Sequence, residues 1–337
     1  MKKRFILSGY FGFKNFGDEA ILSVLINKLQ SDRHRITVIT SDTQYTKSLY
    51  KHIRTVKNFD FQNIIASIYK SDILISGGGS LLQDVTSLKS LIYYLLIIFI
   101  ALLFRKKVII FAQGIGPVNS KIGQFLTKLL LKNCFYISVR DEKSHQLLKS
   151  WGIKSDLLCD PIFSIKIPPS EKSKTLAIQL RDFKGMNNDF LDRLADNVCK
   201  NFKDYNIELY SFQDSIDLEL CKKFEKIINM LNPEIKTTLY YGLTNSEIIE
   251  KISKAQYLIS MRFHAIIIGL LSNVKTLGIN YDIKVEKLAK EFNLPLINLK
   301  EEIGDKFLLL QKQNLEEIYN KLGNVSFDWS GFENAIK

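Results

Sequence analysis

The sequence predicts an α/β chain with two open, mainly parallel sheets facing a cleft. Short apolar runs, each closed by glycine or a charged residue, alternate with longer helical stretches, which is the rhythm of parallel strands joined by crossover helices. That rhythm breaks at the polar, proline-bearing stretch 167–174 and then restarts. The length, 337 residues, is too great for one ordinary domain and comfortable for two. With 46% hydrophobic and 24% charged residues, both halves can bury real cores.

In the first half, residues 5–10 read as a strand running into Gly9-Tyr10-Phe11-Gly12-Phe13-Lys14-Asn15-Phe16-Gly17-Asp18-Glu19-Ala20. Its glycines allow tight turns and close approach of a ligand. Asp18 and Glu19 suit the positive end of the helix over 20–29. The spacing is not a dinucleotide fingerprint, and the acidic pair would repel a pyrophosphate. It suits hydroxyl recognition, with Asn15 and Asp18 accepting from a sugar; a purely structural turn is the alternative. A strand at 36–40, a helix at 61–70 and a buried strand at 72–76 follow. That strand ends in Gly77-Gly78-Gly79-Ser80, whose amides can face a ligand, or which makes room for a crossing loop.

Residues 91–104 are apolar throughout and closed by Arg105-Lys106-Lys107. A spanning helix needs about twenty such residues. The stretch therefore reads as a core helix or as one lying at a membrane surface, where tyrosines and a basic closure fit. Strand 108–112 leads into Gln113-Gly114-Ile115-Gly116-Pro117, and a helix runs through Lys132. Strand 135–139 delivers Arg140 at its carboxyl end, with Asp141 or Glu142 as ion-pair partners if its role is structural. A short strand at 155–159 closes on Asp160-Pro161. The first domain is thus 1–166, and 167–174 reads as a linker.

In the second domain, 175–337, strands are expected at 176–180, 207–212, 238–241, 255–259, 275–280 and 296–299. Helices lie between them at 188–202, 216–230, 245–255 and 285–292, and others run to about 322; a last helix can return to the N-terminal domain. After the strand at 255–259 comes Ser260-Met261-Arg262-Phe263-His264-Ala265 and then an apolar helix. Carboxyl ends of strands meeting amino ends of helices are where such sheets collect anions. Arg262 supplies a fixed cation, and His264 a group that moves protons near neutral pH. The ordinary alternative is that Arg262 pairs with a carboxylate and His264 caps the helix or fills a core gap. Gln113, Gln179 and Arg181 end or follow strands and are candidates to line the same cleft. His34, His52 and His145 lie in polar or exposed contexts and are poor rivals to His264.

The formal charge of +12 suggests an anionic partner. Cys134, Cys159, Cys199 and Cys221 show no C-x-x-C spacing, which reads as reduced thiols in a cytoplasmic protein. The apolar start, Phe5-Ile6-Leu7, is too brief for a signal peptide. No Asp/Glu/His cluster has metal-ligand spacing, so no metal is expected. Basic residues do not alternate with aromatics along one element, so nucleic acid is not expected either.

Taken together, several of these segments resemble the polysaccharide pyruvyl transferase family, in its branch acting on bacterial cell-surface polymers. They are Gly9-Tyr10-Phe11-Gly12 with Asn15 and Gly17-Asp18-Glu19-Ala20; Ser76-Gly77-Gly78-Gly79 with Leu81-Leu82-Gln83-Asp84; and Gln113-Gly114-Ile115-Gly116-Pro117. Val139-Arg140-Asp141, Asp160-Pro161, Met261-Arg262-Phe263-His264-Ala265 and the run Gly278-Ile279-Asn280-Tyr281-Asp282-Ile283-Lys284-Val285 continue in the family's order. Phe263 stands where the family's R-L-H motif has leucine. The resemblance implies two Rossmann-like domains in a GT-B-like arrangement, acceptor side first and donor side second. It implies phosphoenolpyruvate as co-substrate, no other cofactor, and a glycan acceptor, lipid-linked by analogy. The product would be a pyruvate ketal of the glycan, with phosphate released. In that frame His264 is the general acid, and Arg140, Arg262 and Lys284 bind the donor's oxyanions. Asn15, Asp18, Gly77, Gly78, Gly79, Gln113 and Arg181 are acceptor-side or cleft-lining. A cytoplasmic enzyme, peripheral at the inner face of the membrane through 91–107, fits that chemistry. The rival readings are a GT-B glycosyltransferase using a nucleotide sugar and a non-catalytic protein binding anionic glycan.

Overall fold

The apolar runs become parallel strands buried on both faces, as sheets covered by helices on two sides require. The computed structural model describes residues 2–30, 34–183 and 185–337. It divides the chain into two units, residues 1–164 with 326–337, and residues 165–325.

In the first unit the order is β1 (Arg4–Ser8), α1 (Phe16–Gln30), β2 (Arg35–Thr40), α2 (Thr43–Leu49), β3 (Arg54–Lys57), α3 (Phe61–Lys70), β4 (Ile73–Gly77) and α4 (Leu88–Leu103). Then come β5 (Lys107–Gln113), α5 (Lys121–Leu131), β6 (Tyr136–Val139), α6 (Glu142–Ser150) and β7 (Asp156–Leu157). The seven strands are ordered β3-β2-β1-β4-β5-β6-β7, every pairing parallel. The central β4 is buried along its whole length, whereas the edge strand β3 is exposed at both ends. Strand β3 and helix α2 carry little apolar signal; α2 buries only Thr46 and starts on Asp42, whose carboxylate accepts the Tyr45 amide. They are additions to the pattern read from the sequence.

The second unit contains β8 (Thr175–Gln179), α7 (Asn188–Asn201), β9 (Asn206–Tyr210), α8 (Asp214–Leu231), β10 (Thr237–Tyr240), α9 (Asn245–Lys254) and β11 (Tyr257–Ser260). It continues through α10 (Phe263–Leu271), β12 (Lys275–Asn280), α11 (Ile283–Glu291), β13 (Leu296–Asn298), α12 (Gly304–Gln311) and α13 (Leu315–Gly323). Its six parallel strands are ordered β10-β9-β8-β11-β12-β13. Both units are Rossmann-like: the chain winds outward from the first strand, then returns to its other side.

Two stretches at the unit boundaries are held by packing. Stretch 167–174 is pinned to the second unit rather than spanning freely. Lys172 Nζ donates to the Ser253 and Ser272 carbonyls at 2.6 and 2.7 Å, and the Ser173 amide to the Lys254 carbonyl at 2.8 Å. The chain also ends in the first unit, with α14 (Ser330–Ile336). There Phe332 packs edge-on against Phe111 at 5.0 Å, Trp329 stacks on the same ring at 5.6 Å, and Lys28 pairs with Glu333. No helix among the described residues is long and apolar enough to cross a membrane.

Candidate functional site

In the second unit the switch point of the sheet lies between β8 and β11, whose successors run to opposite sides. Ligand crevices of open α/β sheets form at such points, outside the carboxyl ends of the strands. Gln179 ends β8 and is fully buried. Its Oε1 accepts the Ser260 hydroxyl at 3.0 Å and the Arg262 amide at 2.9 Å, which fixes the chain where β11 turns into α10. The Arg262 guanidinium is clamped by Asp217 in the first turn of α8. Nε donates to Oδ2 at 3.1 Å and Nη2 to Oδ1 at 2.8 Å. Asp217 Oδ2 also receives the Phe212 and Gln213 amides at 3.2 and 3.1 Å. Burial pushes the Asp217 carboxyl above its ordinary value, against the pull of Arg262, Arg181 and the Phe212 amide. Arg262 Nη1 makes no hydrogen bond among the described residues.

The carboxylate partner that sequence reasoning allowed for Arg262 therefore exists. His264 sits half-buried in the first turn of α10, with Phe263 edge-on at 5.2 Å, and Arg262 at the N-cap position makes no side-chain cap. The Arg181 amide donates to Met261 Sδ at 3.2 Å, and its guanidinium lies 5.9 Å from the centre of the Tyr281 ring. Lys284 is exposed in the first turn of α11, just beyond β12. The carboxyl edge of three neighbouring strands thus gathers Arg181, Arg262, His264 and Lys284.

The first unit has its own switch point, between β1 and β4. A Cβ on Gly9 would stand 2.6 Å from the Gly77 carbonyl, so these two loops cross with no room for a side chain. Gly79 has φ +59°, and a Cβ there would meet Asp18 Oδ1 at 2.6 Å, so the second glycine loop lies directly against Asp18. Gly77 and Gly78 carry the same loop. Asn15 Oδ1, the oxygen expected to accept from a sugar hydroxyl, accepts the Gly17 amide at 3.1 Å and so holds the start of α1. Gln113 is buried beneath these loops, with Nε2 donating to Ser76 Oγ at 3.0 Å. An irregularity in the β5–β6 register, with Ala112 at φ +44°, turns it there. Arg140 is paired with Asp160 at 2.5 Å, not with Asp141 or Glu142, and the pair is nearly buried. Asp141 instead caps α6 by accepting the Ser144 amide at 2.9 Å.

Sequence reasoning missed Asp217 and the burial of Glu19. Asp217 shares the buried stripe of α8 with Leu220, Cys221, Phe224 and Ile228. A carboxylate at an apolar position of a helical period needs a buried partner, and that was the available signal. Glu19 is likewise buried, and its Oε1 accepts the Gly12 amide at 2.7 Å. Burial pushes its carboxyl up to about 7, while the Gly12 and Lys14 amides pull it down. No three His, Cys, Asp or Glu side chains among the described residues gather as a metal site would need.

A family model described as polysaccharide pyruvyl transferase matches residues 15–283. No curated protein sequence matches the chain. Among solved structures, Anabaena HepE in complex with UDP and glucose is 11% identical, with 99% of this chain and 94% of that one covered and a TM-score of 0.60. A putative UDP-N-acetylglucosamine 2-epimerase from Listeria monocytogenes is 10% identical, covering 100% and 94%, with a TM-score of 0.66. UDP-GlcNAc 2-epimerase from Neisseria meningitidis bound to UDP-GlcNAc is 14% identical, covering 98% and 97%, with a TM-score of 0.63. At these identities the likeness is one of fold, and the fold is GT-B-like.

Proposed function

We propose, since this chain belongs to the polysaccharide pyruvyl transferase family, that it transfers the enolpyruvyl group of phosphoenolpyruvate onto two hydroxyls of a glycan sugar. The family match over residues 15–283 is the observation that carries this reading. The chemistry of the second unit supports it. A donor with a phosphate and a carboxylate needs fixed, directional cations, and Arg262 is held rigid by Asp217 with Nη1 still able to donate. Because Asp217 offsets the charge of Arg262, oxyanion binding draws on that free edge, on the uncapped amino end of α10, and on Arg181 and Lys284. In the first unit, Arg140 is paired with Asp160. Asp18 and the glycine loop 77–79 are the acceptor-side candidates.

His264 acts as general acid. It delivers a proton to C3 of the enol as a sugar hydroxyl adds to C2, and that hydroxyl loses its own proton. The bond from C2 to the phosphate oxygen then breaks. The second hydroxyl adds to C2, losing its proton, and closes the ketal ring. Phosphoenolpyruvate and a diol give a ketal and inorganic phosphate.

The test is thermal stabilisation. At a hundred times its dissociation constant, phosphoenolpyruvate should stabilise the fold by about 2.7 kcal/mol. UDP-sugars and inorganic phosphate are the controls. A shift from UDP-sugars with none from phosphoenolpyruvate would replace this reading by glycosyl transfer.

A further inference from the structure

Helices α3, α4 and α5 cover one face of the first unit side by side, and each turns an apolar stripe to solvent. On α4 the exposed apolar residues are Leu88, Ile92, Leu96, Phe99 and Leu103, one face of the helix. Leu91, Tyr94, Leu95 and Ile98 fill the core from its other face. On α5 the exposed stripe is Ile122, Phe125 and Leu129, the first two exposed by 68% and 66%; on α3 it is Phe61, Ile65 and Tyr69. The helices touch. A Cβ on Gly123 would meet Leu91 Cδ2 at 3.0 Å, and Tyr69 of α3 packs edge-on against Phe104 at 5.5 Å. Monomeric proteins rarely leave so continuous an apolar surface uncovered.

Charge says what covers it. None of the three helices contains Asp or Glu, and no acidic residue occurs between Asp84 and Asp141. Cations border the stripes: Lys70, Arg105, Lys106, Lys107, Lys128 and Lys132. Lys107 lies over the exposed Phe135 ring at 4.3 Å, and Lys106 over Tyr69 at 5.6 Å. A second copy docked through this same face would set cations against cations, with only Asp60 and Asp72 at the two ends of α3 to meet them, and Asp72 is already paired with Arg4. An anionic headgroup layer meets all of them.

We propose that the α3–α4–α5 face docks on an anionic lipid bilayer. The apolar stripes enter the boundary between headgroups and acyl chains, and the bordering cations bind the headgroups. No helix crosses. This holds whichever group the protein transfers, so its test reads binding and not activity.

The experiment is co-sedimentation of the full chain with vesicles of equimolar phosphatidylglycerol and phosphatidylcholine, against pure phosphatidylcholine. The protein should sediment with the anionic vesicles alone, and added salt should release it. The triple variant Leu96→Ser, Phe99→Ser, Phe125→Ser should lose binding. Arg105→Gln and Lys132→Gln should each weaken partitioning roughly fivefold. All five side chains are exposed, and thermal unfolding checks that each variant folds. If the triple variant fails that check, the two charge variants decide. Wild type that ignores both vesicles, or partitioning unchanged by the substitutions, would overturn the proposal. So would a dimer that the triple variant dissociates without any vesicle binding in wild type.

Discussion

Arg262 and Asp217 form a buried, two-pronged ion pair between the amino ends of α10 and α8, with Nε to Oδ2 at 3.1 Å and Nη2 to Oδ1 at 2.8 Å. Removing one partner leaves a buried charge uncompensated, at a cost of about 3–5 kcal/mol. Asp217→Ala should therefore lower the thermal midpoint sharply. Asp217→Asn keeps the shape but weakens the clamp. It should fold, and should raise the KM for phosphoenolpyruvate about tenfold as a charge-assisted hydrogen bond is lost. An Asp217→Ala midpoint equal to wild type would mean the pair does not hold Arg262.

His264 stands beside that clamp in the first turn of α10. Its assignment as the general acid predicts that His264→Gln lowers kcat by about 10²–10⁴. Stabilisation by phosphoenolpyruvate should persist, because binding rests on the cations. A loss under tenfold would place the proton on another group. Loss of the thermal shift with kcat intact would make His264 a binding residue.

The parts of the fold legible in the sequence were those whose burial leaves a pattern. Strands β4, β8 and β11 are buried throughout and read as apolar runs. Strand β3 and α2 lie at an edge and leave almost none. Arg262 and His264 were legible because a charged pair interrupting an apolar strand and helix has to face something polar. The partners were not. Asp217 is 45 residues from Arg262, and Asp160 is 20 from Arg140. Only the parallel winding of the sheets brings each to its arginine. Asn15 was ambiguous for a local reason, since the same asparagine that could bind a hydroxyl also holds the start of the next helix.

Gly79 tests the first unit's switch point. Its φ of +59° is left-handed backbone, costing an L side chain about 1–2 kcal/mol. An alanine Cβ would also displace the Asp18 carboxylate, 2.6 Å away. Gly79→Ala should lower the thermal midpoint modestly, raise the KM for the glycan acceptor, and leave stabilisation by phosphoenolpyruvate unchanged. A changed donor shift with an unchanged acceptor KM would move Asp18 and the glycine loop from the acceptor side to the donor side.

Glu19 gives the fold a pH dependence of definite sign. Its ordinary value is 4.5, and burial raises it to about 7 in the folded chain. Between those values the folded state keeps a proton that the unfolded chain has released. The folded state therefore binds more protons, and stability falls as pH rises through the window, levelling off above about 7. With the side chain 1% exposed, solvent screening is slight, and the fall amounts to roughly 3 kcal/mol. Thermal midpoints of wild type and Glu19→Gln, taken from pH 5 to pH 8, isolate this group from the other carboxylates. Wild type should lose stability relative to Glu19→Gln across that range. Parallel curves would mean that Glu19 ionises at its ordinary value, with the Gly12 and Lys14 amides fully offsetting its burial.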